Sequence, residues 1–298
     1  MKLSTICPIL TCVGVVCLHT PVGLATESLV AAAPLGHDGL SPEPAVPSTP
    51  AVPSQARWAL GFTLSNSPSY AGSVGREWGV RPILSGQVGR WTLSTSSARR
   101  MTGSGGVGTG SGVTGGLSTS IAGTDRWDLG MGLRLTNGRR STDDARLSGL
   151  PDVDPSVAIR ASLRYQLHPH WQVSAGLQQD LFERQGVKAH VGLGWSQRIW
   201  DGWELDLNSG VGWADTRAMR THYGVPLSAI TPQRPVWTPN AGMESWFVGA
   251  GLSRPIGKHW RVAGSLGHSS LLGQAAQSPL TQKRDAAVAS FSIAYVGW

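Results

Sequence analysis

The chain has 298 residues, with 39 glycines, 13 tryptophans, a formal net charge of +7 and three cysteines. A chain this rich in Gly and Trp, poor in Lys and Glu and without a strongly amphipathic helical run points to an all-β fold rather than a helical enzyme. Cys7, Cys12 and Cys17 all precede Ala25, so disulfides, thiolate nucleophiles and cysteine-held metals are excluded from everything beyond.

Residues 1–25 read as a secretory signal. Lys2 supplies the positive start, Ile6 to Leu18 the apolar core, and Gly23-Leu24-Ala25 the small-residue cleavage pattern. The apolar run is well short of the roughly 20 residues a spanning helix needs. Residues 26–56 follow with Pro34, Pro42, Pro44, Pro47, Pro50 and Pro53. Prolines at that density cannot donate to a ladder and favour an extended, disordered tether. Residues 57–298 are assigned to one folded body. No later segment is long and apolar enough to span a bilayer as a helix, and an exported chain of that kind can instead insert as a β-barrel.

From Arg57 onward about twelve candidate strands appear, in line with the even numbers of outer-membrane barrels. The first, Arg57 to Ser65, places Trp58, Leu60, Phe62 and Leu64 on one face. Glu77 to Gly89, Trp91 to Ser97 and the Gly/Ser-rich Gly112 to Ala122 carry weaker patterns. The alternation then sharpens: Trp127, Leu129, Met131, Leu133 and Leu135 alternate with polar or small residues, and Ser156 to Leu167 repeats the pattern. Trp171 to Gln178, Lys188 to Gln197, Trp203 to Trp213, Met243 to Ser253 and Trp260 to Ser269 follow. The last strand, Ala286 to Trp298, has Ala287, Ala289, Phe291, Ile293 and Tyr295 on one face. A final strand must cover its open edge, and the first strand is its expected mate, which closes the sheet into an up-and-down barrel. Trp298 is out of phase with Tyr295, so a bulge at Val296-Gly297 is expected.

The connections alternate in length. Gly89-Arg90, Gly123 to Arg126, His168 to His170, Trp200 to Gly202 and Pro255 to His259 are tight, whereas Ala98 to Ser111, Asn137 to Pro155, Ala214 to Gly242 and Ser270 to Asp285 are long. Outer-membrane barrels pair short periplasmic turns with long external loops, which puts both termini in the periplasm. Trp58, Trp91, Trp127, Trp171, Trp200, Trp203, Trp260 and Trp298 gather near the short-turn end, with Trp78, Trp213 and Trp246 toward the other rim. Indoles concentrate at membrane interfaces, so the expected location is the outer membrane of a Gram-negative cell.

Several motifs resemble the MltA-interacting protein family, MipA/OmpV, from roughly Arg57 to the end: Ser67-Pro-Ser-Tyr-Ala-Gly-Ser73, Leu147-Ser-Gly-Leu-Pro-Asp-Val-Asp154, Trp213-Ala-Asp-Thr-Arg-Ala-Met-Arg-Thr-His-Tyr-Gly-Val225 and Ser270-Leu-Leu-Gly-Gln-Ala-Ala-Gln-Ser-Pro279. The resemblance implies an outer-membrane barrel that, in the founding member, is a scaffold joining a lytic murein transglycosylase to a bifunctional penicillin-binding protein. It supplies no catalytic residues. The Pro-rich tail and the loop Gly103 to Gly116 depart from the family pattern. An outer-membrane pore or a lipopolysaccharide-interacting barrel is the alternative function.

Chemistry-bearing constellations are sparse. Gly103 to Gly112 lacks the following helix a phosphate cradle needs. His168 and His170 share a turn without further ligands for a metal, and no cofactor is implied. His268-Ser269-Ser270 offers a base beside a nucleophile but no orienting acid, so no enzyme is expected. Arg99-Arg100, Arg139-Arg140 and Lys283-Arg284 on long loops are candidate contacts to lipopolysaccharide phosphates. Arg160, Arg164, Glu204 and Asp206 are candidate lumen residues, and Asp215, Arg217, Arg220 and Tyr223 form a polar loop fit to line or cap the interior. Thr231-Pro232, Arg234-Pro235 and Thr238-Pro239 argue against a helix through that loop's second half. Nucleic acid is not an expected partner of an exported chain. Outer-membrane lipid, lipopolysaccharide and the two murein enzymes are.

Overall fold

Period-two alternation becomes a closed sheet. The computed structural model describes residues 58–95, 113–182 and 185–297. The export segment, the Pro-rich tail, Arg99, Arg100, the loop Gly103 to Gly112 and Trp298 lie outside them. Twelve antiparallel strands run β1 (Trp58–Pro68), β2 (Arg76–Val88), β3 (Trp91–Thr95), β4 (Val113–Gly123), β5 (Trp127–Thr136), β6 (Ser156–His168), β7 (Trp171–Asp180), β8 (Val187–Arg198), β9 (Glu204–Ala214), β10 (Gly242–Ile256), β11 (Trp260–Leu271) and β12 (Asp285–Gly297). Each pairs with its sequence neighbours, and β12 returns to β1, so the sheet has no free edge. Backbone donors and acceptors are thereby satisfied without water, as a hydrocarbon surround requires.

The closing seam runs in unbroken register from Trp58 opposite Gly297 to Asn66 opposite Ala289. On its inner face the Thr63 and Ser292 hydroxyls meet at 2.8 Å. Below them Ala59, Ile83, Ala263, Ala294 and Val296 form a small apolar cluster. Approach at the seam is close: a Cβ on Gly61 would sit 2.1 Å from the Ile293 carbonyl oxygen and 2.6 Å from Ala294 Cα.

The expected bulge at Val296-Gly297 is not formed. β12 continues in step with β1 through Gly297, and Gly297 is not among the glycines with positive φ. The glycine answers a packing need instead, because a Cβ there would lie 2.1 Å from the Trp58 indole. That indole stacks on Tyr295, ring centroids 5.6 Å apart.

Strand parity sorts the two faces. Leu60, Phe62, Leu133, Leu163, Val191, Leu207, Leu266 and Phe291 are outward and exposed, giving the apolar belt of a membrane barrel. Trp58, Trp91, Trp171 and Trp260 ring the short-turn end, and Trp78, Trp213 and Trp246 the opposite end. β1 starts and β12 ends at the short-turn rim. On the inward face between β7 and β11, Gly192, Gly194, Asn208, Gly249 and Gly251 lie in register across neighbouring strands, and the Phe247 ring lies over Gly210 and Gly192.

A candidate functional site in the loop cap

The long loops fold onto one another at the rim opposite the short turns. In the β9–β10 loop, helix α1 (Thr216–Tyr223) starts at Asp215, whose carboxylate accepts from the Ala218 N–H at 2.7 Å. An acidic side chain at that position satisfies an otherwise unpaired donor and suits the positive helix end. Ala218, Met219 and Tyr223 turn inward to pack with Ala214, Leu271 and Ala275. α2 (Gly273–Ala276) brings Ala275 to that cluster from the β11–β12 loop. A second cluster joins four loops: Tyr70 from β1–β2, Leu147 and Leu150 from β5–β6, Val225 and Ala229 from β9–β10, and Leu280 from β11–β12.

Polar bonds tie the same loops together. Tyr70 donates its hydroxyl to the Leu280 carbonyl at 2.8 Å, and Ser73 bonds the Asp144 carboxylate at 3.0 Å. Ser278 donates to the Tyr223 carbonyl at 2.7 Å, and Gln185 to the Asp154 carbonyl at 2.9 Å. Arg234 is the hub. Buried, it donates to the carbonyls of Ala229, Arg146 and Ser148 at 2.7 to 3.0 Å. Loops rooted four strands apart in the ring, β5–β6 with β9–β10 and β1–β2 with β5–β6, are thus bonded directly to one another.

Beneath the helix sits a charged latch. Glu244 occupies the irregularity between Met243 and Ser245, where β10 loses register with β9. A bulge re-aims one side chain, and here the carboxylate reaches Lys188 Nζ at 2.8 Å while accepting from the Tyr223 hydroxyl at 3.0 Å. Burial, and then the Glu244 charge, push the Tyr223 phenol well above its ordinary range. Burial and the Lys188 ammonium hold the His222 imidazole neutral, down to about 3. The Tyr70 phenol is raised to about 12, first by burial and then by Asp144.

The predicted site residues divide between lumen and cap. Arg160 and Arg164 face the lumen, Arg160 within 3.3 Å of His190 Nε2. Glu204 also faces inward, paired with Arg261 at 2.7 Å. Asp206 shares that inward face. Asp215, Arg217, Arg220 and Tyr223 lie together in and around α1. Of the loop cations, Arg140, Lys283 and Arg284 are exposed, whereas Arg139 turns into the cap and donates to the His222 carbonyl at 2.9 Å. His268 and Ser269 are consecutive in β11 and point to opposite faces; the imidazole lies against Trp246 and 3.5 Å from Asp285. Among the described residues no cluster of three or more His, Cys, Asp or Glu could hold a metal. Sequence reasoning missed α1, the Arg234 hub and the Glu244 bulge. Met243 and Trp246, both outward but three residues apart, carry the phase break that marks that bulge.

Comparison with known proteins gives distant structural likenesses and one family match. Among solved structures, the CymD monoaromatic hydrocarbon channel shares 12% identity over 81% of this chain and 89% of its own, with a TM-score of 0.39. The Ralstonia pickettii toluene transporter TbuX shares 12% over 82% and 90%, TM-score 0.37. A bacterial polysaccharide outer membrane secretin shares 10% over 82% and 99%, TM-score 0.41. Likenesses this distant carry no argument about what this barrel does. No curated protein matches the chain. The model of the family described as MltA-interacting protein MipA matches residues 60–297. With all twelve strands inside or overlapping that match, the chain is an outer-membrane β-barrel and belongs to the MltA-interacting protein MipA family.

Proposed function

We propose that this barrel is a non-catalytic scaffold that gathers murein-remodelling enzymes, a lytic murein transglycosylase and a penicillin-binding protein, at the inner face of the outer membrane. The observation that carries the reading is the cap. Its loops are bonded to one another by buried contacts such as Arg234 to Arg146 and Ser148, a construction suited to a closed, load-holding body. The family's name, MltA-interacting protein, supports a transglycosylase partner. In this reading the short-turn rim, with both ends of the barrel, faces the periplasm and presents the contact surface, with the Pro-rich segment as a tether. Affinity purification with crosslinking from native envelopes is expected to retain one of the two enzymes, and repeated absence of both would sink the reading.

One observation favours a gated pore as the second reading. Arg160, Arg164, Glu204 and Asp206 face the lumen, as polar side chains do where an interior is water-filled. Planar-bilayer recording separates the two, since a closed scaffold shows no steady conductance. Exposed Arg140, Lys283 and Arg284 at the loop rim suit lipopolysaccharide phosphates. Replacing all three with Gln is expected to weaken lipopolysaccharide binding, and unchanged binding would remove that role.

A further inference from the structure

A cation stands on the membrane-facing wall at the closing seam. Arg76 begins β2 on the same strand face as Trp78 and Val80, which are outward and exposed. Its guanidinium runs sideways over the seam. Nε donates to the Asn66 side-chain oxygen at 2.6 Å, one terminal nitrogen to the Ala287 carbonyl at 2.9 Å and the other to the Asn66 carbonyl at 3.3 Å. A side chain rooted in β2 is thereby fixed across β1 to β12. A guanidinium has more N–H donors than these bonds use. Arg76 is exposed, its acceptors are all neutral, and it has no carboxylate partner among the described residues.

The surroundings sort by depth. Trp78, 72% exposed, lies two residues toward the middle of the strand, roughly 7 Å along it, and indoles settle at the headgroup level. Beneath it two outward apolar rows cross the same three strands: Val80, Leu64 and Phe291, then Pro82, Phe62 and Ile293. Around the guanidinium the charge is unbalanced. Lys283 and Arg284 are exposed just before β12, and the Lys283 N–H is bonded to the Gly72 carbonyl in the turn leading to Arg76. Against them on the outward side stands Asp285, which lies 3.5 Å from His268 Nε2. Glu77 has the opposite strand parity and faces inward, and Asp144 is tied into the cap by Ser73. Three cations against one carboxylate leave this corner of the rim cationic. A soluble anion would use the cations alone, whereas a phosphorylated lipid uses the cations, the indole and the apolar rows together.

We propose that the closing seam carries a binding site for a phosphorylated glycolipid of the outer leaflet, lipid A, with one phosphate on the Arg76 guanidinium and acyl chains along the two apolar rows. Charge-assisted bonds from a guanidinium already held in place give the site its direction. The bound lipid bridges β2, β1 and β12 from outside and so reinforces the seam that closes the barrel. The inference rests on the reading that the long-loop rim faces the outer leaflet. It requires neither an open lumen nor a murein enzyme, so its failure and that of the scaffold reading are separate results.

The full-length protein in detergent micelles, checked for folding by its heat-modifiable mobility in gels, is titrated with bis-phosphorylated lipid A, with dephosphorylated lipid A and with phosphatidylglycerol. Bound lipid is counted by native mass spectrometry. Saturable binding of lipid A is expected, with the dephosphorylated form and phosphatidylglycerol each weaker by about tenfold or more; this comparison needs no variant. Arg76→Gln should weaken lipid A binding by about tenfold or more. Arg81→Gln, the same charge change on the inward face of the same strand, should leave it unchanged. Lipid A should also raise the urea midpoint of the wild type and not that of Arg76→Gln. In a protein with Arg140, Lys283 and Arg284 already replaced by Gln, adding Arg76→Gln should weaken binding further by a similar factor, which separates the seam site from the loop cations. Wild-type affinity in folded Arg76→Gln, an equal loss in Arg81→Gln, or binding of dephosphorylated lipid A or phosphatidylglycerol as tight as that of lipid A would each overturn the proposal.

Discussion

Replacing Arg234 with Met should release the cap while leaving the barrel closed. The buried guanidinium satisfies three carbonyls, those of Ala229, Arg146 and Ser148, through bonds of 2.7 to 3.0 Å. Methionine fills much of the space but donates to none of them. Losing charged hydrogen bonds worth about 1.5–3 kcal/mol each, with partial recovery as the loops open to water, gives a net cost of about 3–5 kcal/mol to the closed cap. Amide exchange should then accelerate roughly a hundred- to several-thousand-fold, until the loops are fully open. The reporting amides are Leu150, bonded to Leu147, and Ala229, bonded to Pro226. Amides in β8 and β9 serve as the internal reference. Wild-type exchange at Leu150 and Ala229 in the variant would refute the hub assignment. Equal acceleration in β8 and β9 would show that cap and barrel open as one unit.

Gly61→Val should impair closure of the barrel, because its first side-chain carbon would fall 2.1 Å from the Ile293 oxygen. Gly86→Val, with nothing within 4 Å, should not. Overpacking of about 1–3 kcal/mol is expected, read as a lower urea midpoint in micelles; equal midpoints would discount the tight seam. Lys188→Met should destabilise the latch by about 1–3 kcal/mol by leaving the Glu244 carboxylate without its cation. The double replacement with Glu244→Gln should recover part of that loss in thermal melts of α1, and strict additivity would argue against a coupled pair. The cap should also loosen in acid. His222 is neutral when folded, down to about 3, against about 6.5 in an open chain, so the open state takes up the proton first. Its contribution is complete above pH 6.5 and lost as pH falls toward 3. Lys188, Glu244 and Arg139 face it, and Glu244 adds an acid loss of its own, because burial, which raises its carboxyl, is outweighed by the Lys188 ammonium, which holds it below the usual carboxylate range. Limited proteolysis from pH 7 to pH 4 should therefore accelerate in the wild type more than in His222→Gln, and identical profiles would exclude His222.

The barrel was legible because its rules are local. A strand exposed to lipid on one face and to an interior on the other writes its period into the chain, so Trp58 to Leu64 and Phe291 to Tyr295 announce both the first strand and its mate. Tryptophans at the rims mark the strand ends independently. The cap was not legible, because its contacts follow no period. Arg234 looks like an ordinary loop cation until the fold surrounds it with the carbonyls of Arg146 and Ser148, 88 and 86 residues away. Arg139 looked like a surface cation for the same reason. Helix α1 did have signals, Asp215 before it and Gly224 after it, but the prolines further along drew attention to where the helix could not be. Gly297 was misread from phase alone; the Trp58 ring that explains it comes from the far end of the chain.

The bond from Tyr70 to Leu280 spans 210 positions of sequence, and it carries a consequence for assembly. Contacts of such separation repay their loop-closure entropy only once the intervening chain is organised. The loop after β1 and the loop before β12 become neighbours only when those two strands zip together. An unfinished barrel therefore cannot complete its lid, whatever the order in which the other strands insert. Ordering of the loops reports that insertion has finished, so a surveillance protease cutting at flexible loops would sort immature barrels from mature ones at this end of the molecule.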